Sequence, residues 1–367
     1  MQIGIPKEIK TQENRVGLTP QAVAQLVRSG HAVLVEAGAG VGSGYADAEY
    51  QGAGAQIASV EVVWQAALVI KVKEPQPVEI ARLRPGQALF CYLHLAPDAA
   101  QTDGLLASGC TAIAFETVED AQGRLPLLAP MSEVAGCLAP QVGAMALHAW
   151  RGGRGVLLGG VPGVAPADVL VLGGGVVGTH AARVALGMGA DVTILDRDLN
   201  RLKTLDAQFG GRLKTAHAGM LHTLIRQSDM IIGAVLVHGA KAPHLIRRTD
   251  LAELRPGCVL VDVAIDQGGC FETSHATTHD DPTYSVDGVV HYCVANMPGA
   301  VSRTATEALT AAVLPYAQTL ADQGWQAALR ADPGLAMGLN VHAGGLYEPN
   351  VAEVQGKPLA VLADALA

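Results

Sequence analysis

Three glycines, Gly173, Gly175 and Gly178, close the apolar run Val169-Leu170-Val171-Leu172 and open a stretch in which Val177, Ala181, Val184, Ala185 and Met188 recur at helical spacing. The next apolar run, Val192-Thr193-Ile194-Leu195, stops at Asp196, 18 residues beyond Gly178. This reads as strand, glycine turn, helix and a second strand ending in an acid. In such a unit the glycines permit a tight turn, close approach of backbone to a pyrophosphate, and close packing of helix on sheet. The first N–H groups of the helix face the anion. A carboxylate at the place of Asp196 accepts hydrogen bonds from both ribose hydroxyls and repels a 2′-phosphate, so the pattern predicts NAD rather than NADP. Glycine-rich turns also occur where no nucleotide binds; the flanking strands and the apolar helix stripe decide for the nucleotide here.

A second set of reactive side chains lies just past other apolar runs. The first run leads through Pro6-Lys7-Glu8 to Glu13-Asn14-Arg15, the third ends in Lys71-Val72-Lys73-Glu74-Pro75, the fourth in His94 and the fifth in Glu116. Further on, the run at 258–263 leads to Asp266-Gln267-Gly268-Gly269, and that at 289–294 to Asn296-Met297-Pro298. Ligands of open parallel sheets bind beyond the carboxyl ends of the strands, where the loops converge. An arginine fork, a lysine and a histidine beside a nicotinamide suit a small 2-keto or 2-amino acid: Arg15 for its carboxylate, Lys73 for a carbonyl oxygen gaining charge, His94 and Asp266 for proton exchange. Each has a plainer reading. Arg15 could form a surface ion pair with Glu13, Lys73 a solvated charge beside Glu74, His94 a hydrogen-bonded core residue, Asp266 a turn cap. Their recurrence at strand ends outweighs these, while Glu116 reads as structural or supporting.

The chain has 367 residues, more than one hydrophobic core usually serves, so two domains are expected. Hydrophobic residues make up 50% and charged residues 16%, against about 25% charged in an average soluble domain, which implies large cores or buried subunit surface. The net charge of −9 and the scattered cations argue against nucleic acid. No stretch approaches ~20 apolar residues, so no membrane association is expected; Pro6, Lys7 and Glu8 interrupt any signal-peptide core. A cytoplasmic protein follows. The six cysteines (Cys91, Cys110, Cys137, Cys258, Cys270, Cys293) are widely spaced, which reads as free thiols and not as a disulfide framework or zinc site. His275 and His279 lack the intervening glutamate and the helical context of a zinc motif, and no metal site is predicted.

Short apolar runs alternate with helical stretches throughout, predicting an α/β fold: two doubly wound Rossmann-like domains with an interdomain cleft. Strands are expected at Gln2–Ile5, His31–Val35, Ala67–Val72, Ala88–Tyr92 and Thr111–Phe115, with helices near 20–29, 47–53 and 98–108. A second series is expected at 168–172, 191–195, 229–233, 258–263 and 289–294. Residues 129–304 read as the NAD-binding domain, and 1–128 with 305–367 as the substrate domain. Beyond a helix through Thr304–Leu320 the pattern fades amid Gly and Pro; this tail is expected to return to the first domain.

The chain resembles the alanine dehydrogenase and transhydrogenase N-terminal-like family. The likeness rests on Gly4-Ile5-Pro6-Lys7-Glu8 with Glu13-Asn14-Arg15-Val16, Lys71-Val72-Lys73-Glu74-Pro75, Leu93-His94-Leu95, Glu116-Thr117-Val118, Pro130-Met131-Ser132-Glu133-Val134-Ala135-Gly136, Gly159-Gly160-Val161-Pro162-Gly163-Val164, Gly239-Ala240-Lys241-Ala242-Pro243, Asp262-Val263-Ala264-Ile265-Asp266-Gln267-Gly268-Gly269 and Val294-Ala295-Asn296-Met297-Pro298. It covers nearly the whole chain. The resemblance implies NAD-dependent, reversible oxidative deamination of L-alanine to pyruvate and ammonium in a homohexamer. By matching position, Arg15 and Lys73 hold the substrate, and His94 and Asp266 form the acid/base pair. The cofactor is implied to touch Ser132, Gly173, Gly175, Val176, Val177, Gly178, Asp196, Arg201, Val235, Leu236, Val263, Ala264, Ile265, Asp266, Val294, Ala295, Asn296 and Met297. The chain departs from the family's usual residues at Gln12, Phe115, His238 and Glu307, the last of which bears on the expected contact between domains. Two alternatives stand beside the enzyme: a nucleotide-binding component related to proton-translocating transhydrogenase, and a non-catalytic NAD-binding protein.

Overall fold

Runs of Val, Ile and Leu with both faces buried build parallel strands, and this chain uses them twice. The computed structural model describes residues 1–235 and 243–367. The chain divides into two units, one comprising Met1–Met131 with Val301–Ala367 and the other Ser132–Ala300.

In the first unit β1 (Gln2–Ile5), β2 (Ala32–Glu36), β3 (Gln56–Ala58), β4 (Leu68–Ile70), β5 (Ala88–Cys91) and β6 (Thr111–Ala114) are parallel and lie in the order β3-β2-β1-β4-β5-β6. In the second, β7 (Asp168–Leu172), β8 (Asp191–Asp196), β9 (Lys214–His217), β10 (Met230–Gly233) and β11 (Val259–Asp262) repeat the plan. There β12 (Thr283–Val286) pairs antiparallel with β13 (Val289–Tyr292), giving β12-β13-β11-β10-β7-β8-β9. Both sheets therefore reverse direction of winding at one point, between β1 and β4 and between β7 and β10. Crevices for ligands form at such reversals, outside the carboxyl ends of the strands.

The tail joins the first sheet by a means the sequence hid. Helix Ser302–Gln323 is followed by β14 (Leu339–His342) and β15 (Gly345–Leu346), and β14 pairs antiparallel with β6 through Leu339↔Ile113 and His342↔Thr111. The strands not anticipated, β3, β9, β12, β14 and β15, all lie at or next to a sheet edge. There one side is open, and short or polar segments such as Lys214-Thr215-Ala216-His217 suffice.

Two helices matter most for positioning. Thr306 and Thr310 on helix Ser302–Gln323 accept hydrogen bonds from Val16 N–H and Thr19 N–H at 3.2 Å each, fixing the segment that carries Arg15. Helix Val176–Gly187 packs against β7 so closely that a Cβ on Gly178 would lie 1.8 Å from the Gly173 carbonyl oxygen. Because the obstacle is backbone, Gly178→Ala is expected to destabilise the protein by about 1–3 kcal/mol, the usual range for overpacking, as measured by denaturant unfolding. It should also weaken dinucleotide binding.

Candidate active site

The loop after β1 and the loop after β4 flank the winding reversal of the first sheet, and both are anchored by buried charge. Lys71, with a side chain 1% exposed, lies 2.9 Å from Glu8 Oε2 and 3.4 Å from Glu79 Oε2. It also donates to the Lys73 carbonyl oxygen, and Glu8 Oε1 accepts the Val72 N–H at 2.6 Å. Burial alone would lower the Lys71 pKa, but Glu8 and Glu79 more than offset it and hold it above the usual lysine value. The two residues after the end of β4, expected to be strand, thus form a locked turn that presents Lys73 and Glu74.

Arg15 is buried, not part of a surface pair. Glu13 takes one edge of its guanidinium, with Nε donating to Oε1 at 2.7 Å and Nη2 to Oε2 at 2.5 Å, while Nη1 lies 3.0 Å from Met131 Sδ. Burial tends to lower the Arg15 pKa, and the hydrogen bonds and charge of Glu13 raise it above the ordinary value.

His94 stands at the end of β5 with its backbone in the left-handed region, φ 49°. For a non-glycine residue that conformation persists only when the surroundings enforce it. Glu116 does so: its carboxylate accepts the N–H of Leu93 at 3.0 Å and of His94 at 2.6 Å. The imidazole itself is 42% exposed, which sets aside the core-histidine reading, and its Nδ1 lies 3.3 Å from Glu74 Oε2. Glu74 Oε1 pairs with Lys10. Burial pushes the Glu74 pKa up, but His94, Lys73 and Lys10 outweigh it, and the carboxylate stays ionised well below the usual range. A carboxylate at Nδ1 fixes the ring orientation and turns Nε2 outward. Tyr92 lies 5.7 Å from the His94 ring, centroid to centroid, and burial raises its pKa although the charge of Arg15 opposes this. Arg15, Tyr92, His94 and Glu74 are thereby gathered beyond the carboxyl ends of β1, β4 and β5, with Lys73 acting electrostatically on Glu74.

In the second unit the glycines meet different constraints. Gly173 has φ 97°, which favours glycine, and a Cβ there would meet the Ala234 carbonyl and Val235 Cγ2, both at 2.9 Å. Gly175, by contrast, has open space where its Cβ would be, at the N-cap of helix Val176–Gly187. That opening in front of helix N–H groups fits a pyrophosphate, and the outward-facing Val176, 42% exposed, borders it. Asp196 ends β8 with Oδ2 accepting the Gly174 N–H at 2.7 Å and Oδ1 the Asp198 N–H at 2.9 Å, so it is held against the glycine turn. Arg201 donates from Nε to the Gly174 carbonyl and from Nη2 to Thr179 Oγ1 at 2.7 Å, bracing the same turn. Ser132 lies one helical turn before Gly136, where a Cβ would come within 2.4 Å of the Val177 carbonyl. Leu236, with Gly239, Lys241 and their neighbours, lies outside the described residues.

Asp266 is exposed on the short turn Ile265–Gln267, closed by Gly268 at φ 94°. Buried Asp262, at the end of β11, shapes that loop: it accepts Ala264 N–H, Cys270 N–H and the Ser274 hydroxyl, at 3.2, 2.8 and 2.5 Å. Val263 N–H bonds to the Gly233 carbonyl at 3.0 Å, and Ala264 and Ile265 are buried. Past β13, Val294 and Met297 are buried, Ala295 N–H bonds to Thr277 O, and Asn296 turns the chain at φ 63°. Of the departures from the family's usual residues, Phe115 packs edge-on to Phe90 and Tyr92, and Glu307 accepts the Tyr45 hydroxyl at 2.8 Å and pairs with Arg303 at 3.2 Å.

A glycine turn at the winding reversal of one sheet, and an arginine, lysine and carboxylate-backed histidine at that of the other, define a two-domain α/β dehydrogenase. The family models for the N-terminal and C-terminal domains of alanine dehydrogenase/PNT match residues 4–135 and 139–349, and the chain belongs to this alanine dehydrogenase/PNT family. It is 59% identical over 360 residues to a protein named alanine dehydrogenase from Halomonas elongata, covering 97% of each chain. It is 54% identical, over the full length of both, to one of the same name from Mycolicibacterium smegmatis. Among solved structures it is similar to an L-alanine dehydrogenase (TM-score 0.94, 52% identity, 97% of this chain and 99% of that one). It is also similar to a transhydrogenase from Sinorhizobium meliloti (TM-score 0.81, 26% identity, 95% and 99%).

Glu116, read as structural or supporting, is such a holder; the holders that sequence reading passed over are Glu74, Asp262 and the Lys71–Glu8–Glu79 cluster. A charge inside an otherwise apolar strand run, as at Lys71 and Asp262, was the available signal. Glu74→Gln removes the charge facing Nδ1 of His94 and is expected to lower turnover by about tenfold or more, the scale of losing an orienting partner. Steady-state kinetics should show kcat falling with little change in KM for the dinucleotide.

Proposed function

We propose that the protein is an NAD-dependent alanine dehydrogenase that interconverts L-alanine with pyruvate and ammonium. The observation that carries this reading is the end-to-end likeness to proteins of that name at more than half identity, joined to a carboxylate-backed histidine at a strand end. NAD supplies the hydride acceptor; the opening beside Gly175 and the carboxylate of Asp196 fit it. The chain's own residues do the rest. Arg15 holds the substrate carboxylate through its guanidinium, which Glu13 orients. Lys73 stabilises negative charge growing on the substrate oxygen. Water adding to the iminium carbon must lose a proton and the departing amine must gain one. His94 exchanges these protons through Nε2, while Asp266, carried on the dinucleotide unit, serves the amine or water.

A homohexamer fits the surface of the second unit, where Trp150, Leu157, Val161 and Val164 of one segment are 53–70% exposed, an apolar set of the kind that marks subunit contact. No helix among the described residues is long and apolar enough to cross a membrane. A reducing cytoplasm suits the six cysteines, none of which is in a disulfide.

Alanine-dependent NADH formation tests the reading directly. His94→Ala is expected to lower turnover by about two to four powers of ten, the span of acid/base catalysis, with NADH affinity nearly intact; near wild-type turnover would remove His94 from the mechanism. Asp196→Ala should raise kcat/KM with NADP relative to NAD, whereas an unchanged ratio would mean the ribose is read elsewhere.

A further inference from the structure

Five of the six cysteines are buried. Burial pushes the thiols of Cys258 and Cys270 up to about 12 and that of Cys293 to about 11, and raises Cys91 and Cys110 as well. Such thiols are not ionised near neutral pH and are chemically inert. Cys137 differs in exposure and in company. It is partly exposed on helix Ala129–Ala146, and its sulfur faces two residues one turn apart on the helix that follows the glycine turn. His180 Nδ1 lies 3.8 Å from Sγ, Arg183 Nη2 donates to Sγ at 3.3 Å, and Glu133 Oε1 lies 3.9 Å from His180 Nε2. A nucleophile, a base, a carboxylate behind the base and a cation beside the sulfur are thus assembled in one place. Burial, aided by Arg183 and opposed by Glu133, holds the His180 pKa below the usual histidine value, so the imidazole is neutral at pH 7 and able to accept a proton.

We propose that Cys137 is the reactive thiol of this protein, forming mixed disulfides with small disulfides of the glutathione type, and that the adduct weakens dinucleotide binding. His180 takes the thiol proton, and the Cys137 sulfur attacks one sulfur of the small disulfide. The new S–S bond forms as the old one breaks, and the departing thiolate recovers the proton from His180. Cys137 is oxidised, the leaving half is reduced, and the small disulfide is the only oxidant.

The coupling to the dinucleotide follows from the packing. Next to Cys137, Gly136 leaves no slack: a Cβ there would lie 2.4 Å from the Val177 carbonyl and 2.9 Å from His180 Cβ. Val177 is the second residue of the helix whose N-terminus opens at Gly175. An adduct on Cys137 has to displace His180 or Arg183, and with them that helix end. This second half rests on the nucleotide reading of the glycine turn, which NADH titration of the untreated protein tests separately.

The experiment treats the full-length protein with oxidised glutathione, maps adducts by peptide mass spectrometry and titrates NADH by fluorescence before and after. One adduct per chain on Cys137, with Kd for NADH raised about tenfold, is expected, and Cys137→Ser should take no adduct and keep its affinity. His180→Asn, which retains the thiol, should slow adduct formation by about tenfold or more, as loss of a general base does. Adducts that appear first or equally on another cysteine, no adduct on the native protein, a His180→Asn variant that reacts at the parent rate, or an adduct that leaves Kd unchanged would each overturn the proposal.

Discussion

An ammonium group with almost no solvent contact cannot remain charged unless carboxylates surround it, and Lys71 meets that condition with Glu8 and Glu79. The three come from the loop after β1, the end of β4 and the short helix Pro77–Ile80, so their mutual need fixes the geometry of the first sheet's winding reversal. Removing one partner of such a set costs about 3–5 kcal/mol, because an uncompensated charge stays buried. Its pH dependence has a definite sign. The Lys71 pKa is raised in the folded state, so its contribution is complete below the ordinary lysine pKa and is lost only as pH rises through the raised value. At neutral pH Lys71 therefore stays protonated.

The same economy of means recurs around it. Each group assigned to chemistry stands on a loop, and a buried or half-buried acid holds that loop: Glu13 for Arg15, Glu74 and Glu116 for His94, Asp262 for the turn bearing Asp266. Glu13, Glu116 and Asp262 accept backbone N–H groups that the loops leave unpaired, which satisfies buried donors and fixes side-chain direction together. Preorganised groups of this kind need little rearrangement at the moment of reaction.

How much of this was readable beforehand follows from which residues report on their own surroundings. The glycine turn, the two parallel series and the positions of Arg15, Lys73 and His94 at strand ends were legible, because glycine spacing and apolar runs are local signals. The strand order was not, since nothing in a strand's sequence names its neighbour. Edge strand β9 escaped because a half-exposed ladder needs no apolar run. Glu13 illustrates the remainder: its spacing two residues from Arg15 suggested a surface pair, and only the fold reveals that the pair is buried.

The antiparallel pairing of β14 with β6 has a consequence for biosynthesis. Unit two is built from one uninterrupted stretch, Ser132–Ala300, and can close as soon as that stretch leaves the ribosome. The first unit cannot. Until β14 emerges, β6 presents an unprotected edge of the kind that seeks other strands, and until helix Ser302–Gln323 arrives the Arg15 segment lacks the threonine hydroxyls that seat it. The half of the molecule made first is therefore the half finished last, and nascent chains stalled before residue 339 are the species most exposed to misassembly.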